Sequence, residues 1–133
     1  MYLYDLRSPA SPLAVIPGHT RAVSYVRFIS PSRLVSASTD STLRVWDVAA
    51  ASAGAGAAAC QAVLSGHTNE KNFVGLAASP DGYVMCGAET NEVVAYHSAT
   101  PTPVCAHDMG AAAALQVRGQ GGVFLGGGAQ PGT

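Results

Sequence analysis

The sequence predicts an all-β chain built from a repeated unit of about four short strands. Two observations carry that reading. First, YLYDLRS at 2–8, LRVWDVA at 43–49 and VVAYHSA at 93–99 resemble one another, as do GHTRAVSYVRF at 18–28 and GHTNEKNFVGL at 66–76. Self-similarity at a period of a few tens of residues is the signature of repeat architectures. Second, the segments between these anchors alternate apolar and polar residues over short runs bounded by turn residues, as half-buried strands do. Nothing in the chain reads as a long amphipathic helix.

Composition narrows the function classes. The chain has 133 residues, the size of one ordinary domain, with 48% apolar and 11% charged residues. Much of the apolar share is alanine, which adds little core. The net charge is −1 and no basic run occurs, which argues against binding nucleic acid by phosphate neutralisation. Asp5 and Arg7 fall where the apolar core of a signal peptide would lie. No apolar run is long enough to span a membrane. Cys60, Cys86 and Cys105 are far apart, odd in number and form no CxxC pair. Cys105 and His107 have the chemistry of metal ligands but lack a second pair at zinc-finger spacing. No metal, no cofactor and reduced thiols are expected, in a nuclear or cytosolic setting.

The units follow in order. Residues 1–10 read as the end of a preceding unit. Residues 11–47 supply a complete one. There AVSYVRF alternates, with Val23, Tyr25 and Arg27 on one side and Ala22, Ser24, Val26 and Phe28 on the other. RLVSAS and TLRVWD follow, joined through the polar turn TDS, and Pro12 and Pro17 suit edge positions. Residues 48–59 are Ala/Gly-rich and read as a loop or a short frayed helix. Residues 60–100 form a second, degenerate unit, with SPDG at 79–82 as a type I turn. In it Cys86 replaces Ser36, Thr90 replaces Asp40, Tyr96 replaces Trp46 and His97 replaces Asp47. A softer unit is expected there, held mainly by the packing of VVAY and FVGLAA. Residues 101–133 read as the start of a third unit and a Gly-rich tail. Gly119, Gly121 and Gly122 suggest a nucleotide loop, but Phe124 occupies the third Gly position of GxGxxG and no Gly-Lys-Ser/Thr occurs.

A unit with Gly-His near its start and Trp-Asp near its end resembles a WD40 repeat, and the architecture this implies is a blade of a β-propeller. The resemblance also implies a hydrogen-bonded network of His19, a strand serine (Ser36 or Ser38), Asp40 and Trp46. Asp40 would accept from the imidazole, the imidazole would reach the hydroxyl, and the hydroxyl would meet the indole N–H. Such a role is structural rather than catalytic. About two full blades plus pieces of the flanking ones are countable, while a closed propeller has roughly four to eight. The fold class is therefore a partial WD40 β-propeller, and the chain is expected to be part of a longer protein.

The ordered set YDLR, GHTRAVSYVRF, LVSASTDSTLRVWDV, GHTNEKNFVGL and AETNEVVAYH is similar to the C-terminal WD40 region of two related plant groups. One is the photomorphogenesis-repressing RING-type E3 ubiquitin ligase; the other comprises its partner repressors of phytochrome A signalling. The resemblance spans about residues 2–107 and does not separate the two. It implies a non-catalytic substrate receptor of a ubiquitin ligase complex acting in light signalling. The ligands would be short Val-Pro peptides, flanked by acidic residues, of transcription factors or photoreceptors. Arg21, Glu70 and Phe73 would hold them: Phe73 packing on Val-Pro, Arg21 attracting the acidic residues, Glu70 fixing basic or main-chain donors. YDLR resembles the box by which propeller receptors contact the adaptor of cullin-4 ligases, which assigns Asp5 and Arg7 to adaptor binding. The alternatives are a generic WD40 scaffold with another partner and a truncated product without activity. An enzyme is the class least supported, since no GxSxG occurs and the carboxylates are scattered.

Overall fold

The computed structural model describes residues 1–72 and 74–109. Among the described residues, ten strands form one two-stranded ribbon and two four-stranded antiparallel sheets. β1 (Tyr2–Leu3) pairs with β2 (Ala14–Val15). The first sheet runs β3 (Val23–Ser30), β4 (Arg33–Ser38), β5 (Thr42–Asp47), β6 (Cys60–Ser65) in spatial order. The second runs β7 (Leu76–Ala78), β8 (Tyr83–Ala88), β9 (Glu92–His97), β10 (Cys105–Asp108). This is the meander of a propeller blade, made twice.

The sheets are offset by one strand from the sequence units. β6 opens the second unit, yet it pairs with β5 and closes the first sheet. β10 lies in the stretch 101–133, expected to open a third blade, yet it pairs with β9 and closes the second sheet. The reason is hydrogen bonding: the outer edges of β5 and β9 each need a partner, and the next segment of chain supplies it. The remaining part of the 101–133 expectation, from residue 110 on, lies outside the described residues, and so do Gly119, Gly121 and Gly122.

Alternation decides which face of each strand is buried. On β4 and β5, Val35, Ala37, Leu43 and Val45 face the second sheet. From β8 and β9, Val84, Cys86, Ala88, Val94 and Tyr96 meet them, joined by Ile29, Leu64 and Leu76. Val35, Leu43, Val45 and Val84 are wholly buried. The other face of the first sheet, carrying Leu34 and Trp46, packs on Ile16, Ala51 and Ala59, with Met1 and Leu3 at its border.

The Ala/Gly-rich insert explains the last contact. It forms α1 (Val48–Ser52) and a single 3-10 turn, Gly56–Ala59. Asp47 caps the helix, its Oδ1 accepting from the N–H of Ala49 at 3.0 Å and Ala50 at 3.2 Å. Alanine is the strongest helix former and small enough for Ala51 and Ala59 to be buried in one cluster with Leu34 and Trp46.

Candidate protein-interaction site

Of the residues singled out from the sequence, Asp40 lies in the β4–β5 turn and His19 and Arg21 lie on the segment that leads into β3 and bonds to that hairpin. In the first sheet four of them form a single directed chain of hydrogen bonds. The Trp46 Nε1–H donates to Ser36 Oγ at 2.9 Å. Ser36 Oγ lies 2.7 Å from His19 Nε2, and His19 Nδ1 lies 2.9 Å from Asp40 Oδ2. A carboxylate only accepts, so the ring proton sits on Nδ1, Nε2 accepts from the serine hydroxyl, and every member is satisfied. Asp40 also takes the N–H of Thr20 and of Thr42, each at 3.0 Å, and the Thr42 hydroxyl at 2.5 Å. Burial pushes the Asp40 carboxyl up, but these donors, Thr42 first and His19 next, outweigh it and bring its pKa to about 2. Burial pushes the pKa of His19 below the ordinary imidazole value, against the pull of Asp40.

Ser38, the other serine considered for this chain, does different work. Its hydroxyl donates to the Arg21 carbonyl at 3.2 Å and accepts from the Asp40 N–H at 3.1 Å, tying the approach to β3 onto the β4–β5 turn. Gly18 completes the arrangement. A Cβ there would meet Trp46 Cη2 at 2.5 Å, so only glycine lets the chain pass under the indole.

The second sheet holds a shorter version. His67 Nδ1 lies 2.7 Å from the Tyr96 hydroxyl, so the phenol reaches the ring without a serine between them. Cys86, at the Ser36 position, is buried, and burial pushes its thiol up to about 12. His97, in the place of Asp47, accepts the N–H of Ala99 on Nδ1 at 3.1 Å, which keeps the local cap with an imidazole for a carboxylate.

Arg21 and Glu70 are both exposed and flank the β4–β5 turn. The Arg21 carbonyl is held by Ser38, and the residue before Glu70, Asn69, exchanges bonds with Ser41: its N–H donates to Oγ at 2.8 Å and its carbonyl accepts from it at 3.1 Å. Phe73 lies outside the described residues. Asp5 and Arg7 stand apart, in the turn after β1. The Arg7 guanidinium makes a two-point pair with Asp5, Nε–Oδ1 at 3.0 Å and Nη2–Oδ2 at 2.7 Å, and remains exposed. Cys105 and His107 are exposed on β10. Among the described residues no helix is long and apolar enough to cross a membrane.

Sequence reasoning passed over Asn69, Thr42 and Glu89. Thr42 carried a signal, since a hydroxyl two residues after a turn aspartate commonly bonds back to it. Asn69 and Glu89 carried little, because their partners are distant in sequence.

Comparison with known proteins fits this geometry. The WD domain, G-beta repeat model of the WD40 family matches residues 10–47. Residues 10–47 thus carry a WD40 repeat. The chain is 50% identical over 107 residues to Protein SPA1-RELATED 3 of Arabidopsis thaliana, covering 80% of this chain and 12% of that protein. It is 49% identical over 110 residues to the E3 ubiquitin-protein ligase COP1 of the same plant, covering 83% and 15%. The chain thus spans about an eighth of the length of these relatives. Among solved structures, the computationally designed Ika8 protein superposes with a TM-score of 0.57 at 24% identity, over 74% of this chain and 27% of that one, a likeness of fold alone.

Proposed function

We propose that this WD40 region is a peptide-receptor part of a ubiquitin ligase complex in light signalling. It would recognise short Val-Pro peptides with acidic flanks through Arg21, Glu70 and Phe73. The observation that carries the reading is the placement of Arg21 and Glu70 beside the β4–β5 turn, both side chains exposed, with the Arg21 carbonyl held by Ser38 and the neighbour of Glu70, Asn69, held by Ser41. A cation and an anion held on rigid loops suit a short extended ligand bearing both charge types. Similarity to SPA1-RELATED 3 and COP1 supplies the context.

The test is titration of a labelled Val-Pro peptide with acidic flanks into the full chain and into Arg21→Glu. Affinity is expected to fall by roughly 1–3 kcal/mol, as for loss of a charge-assisted contact. Equal affinity for both proteins would refute the role of Arg21. At the other site, Asp5 holds the Arg7 guanidinium in one orientation, which suits a contact with a cullin-4 adaptor. Arg7→Ala is expected to lose adaptor capture while keeping the peptide, and unchanged capture would remove that assignment.

A further inference from the structure

The loop entering the second sheet is two residues longer than its counterpart. Leu76 pairs with Cys86 as Val26 pairs with Ser36, and the lengths counted back to His67 and His19 differ by that amount. The added length is tied down at one point. Glu89 Oε2 accepts from three successive N–H groups, Glu70 at 3.0 Å, Lys71 at 2.7 Å and Asn72 at 2.7 Å. The Asn69 amide turns its nitrogen to the same oxygen at 3.2 Å and to the Asn72 carbonyl, since the reverse would set oxygen against oxygen. The Glu89 N–H donates to the Thr68 carbonyl at 2.8 Å, which joins the β8–β9 turn to the other side of the loop. In the first sheet the same position is Thr39, whose N–H reaches the Ala22 carbonyl at 3.1 Å but which has no carboxylate to offer.

Successive backbone N–H groups converging on one oxygen are how loops bind anions. Here the anion belongs to the chain itself. Those donors, Asn72 foremost and then Lys71, hold the Glu89 carboxyl below its usual range. The side chains of Glu70 and Lys71 are left exposed on a backbone whose N–H groups are already used.

The geometry points to Glu89 as the positioning residue of the recognition loop: its carboxylate fixes the backbone at 70–72 so that Glu70 and Lys71 meet a peptide in one set orientation. This rests on the peptide-receptor reading. A loop ordered before binding spares the ligand the entropy of ordering it. Glu89→Gln is nearly isosteric and keeps an oxygen but loses the charge that strengthens all three bonds.

The experiment uses the full chain, unsubstituted and Glu89→Gln, with backbone amide NMR, amide hydrogen exchange and the Val-Pro peptide titration. In Glu89→Gln the amide protons of residues 70–72 are expected to move upfield and exchange roughly tenfold faster, as charge-assisted bonds are lost. The amide shifts of Val94 and Tyr96 are expected to stay unchanged, while peptide affinity falls several-fold. Unchanged shifts and exchange at 70–72 would overturn the clamp. Altered shifts and exchange with unchanged peptide affinity would overturn its positioning role. If the unsubstituted chain binds no such peptide, the receptor reading and Glu89's part in recognition fall together, and the exchange data alone decide whether the clamp exists.

Discussion

Ser36 is the residue on which the first sheet's polar interior turns, because its one hydroxyl serves both the indole above it and the imidazole beside it. Ser36→Ala would leave Trp46 Nε1–H and His19 Nε2 without partners in a dry site. The expected cost is about 1–3 kcal/mol, read as a lower urea midpoint with unchanged slope. The two histidines also set a pH dependence. Burial lowers the pKa of both His19 and His67, so the folded state keeps them neutral. Below the unfolded imidazole value of about 6.5, the unfolded chain takes up protons that the folded chain refuses. Stability is therefore complete above that value and falls as pH drops through it. Asp40 adds a further loss only at much lower pH, as the unfolded carboxyl begins to protonate, because its folded value is about 2. Urea midpoints measured between pH 7.5 and pH 5.5 should decline, and His67→Phe should flatten part of the decline. A flat profile would mean that these rings titrate alike in both states.

At the scale of the element, the second sheet shows how a repeat survives loss of its signature residues. An aromatic hydroxyl reaches the distance a tryptophan covers with the help of a serine, so His67 and Tyr96 bond directly over the buried Cys86. Tyr96→Phe should cost about 1–3 kcal/mol by leaving the imidazole without its hydroxyl partner. The thiol at 86 makes a second check. With its pKa pushed up to about 12 and its side chain buried, it should resist alkylation in the folded chain, while exposed Cys105 reacts. Alkylation of Cys86 at the rate of Cys105 would show that the sheet is open. The replacements at 86, 90, 96 and 97 were legible in the sequence, and so was the need for a different network. The direct bond was not legible, because alignment says which residue stands in a place and not how far its side chain reaches. The insert at 48–59 was legible only as loop or short helix. Its helix depends on the Asp47 cap and on the cluster with Leu34 and Trp46 that alanines are small enough to join, and both become visible only once β5 is in place. The clamp of Glu89 on residues 70–72 is farther still from local pattern, since it joins a hairpin turn to a loop 17 to 19 residues away.

At the scale of the whole molecule, the two sheets share one apolar core, and the Ser41–Asn69 bonds join the turn of the first sheet to the loop entering the second. Strand alternation marked the short strands in advance but not which of their faces meet between the sheets, and on β3 both Val26 and Phe28 are exposed. The offset between sequence unit and sheet was hidden, because which edge takes the next strand is a matter of long-range pairing. Leu43→Ala, at a wholly buried position between the sheets, should cost about 2–5 kcal/mol. The two sheets fold as one body. Trp46, the chain's single tryptophan, reports on the first sheet, and alkylation of the Cys86 thiol reports on the second. Followed together through a urea titration of Cys60→Ser, Cys105→Ser protein, tryptophan fluorescence and Cys86 reactivity should change in one coincident transition. Two separate midpoints would contradict the shared core, and with it the placement of the two loops at a common site.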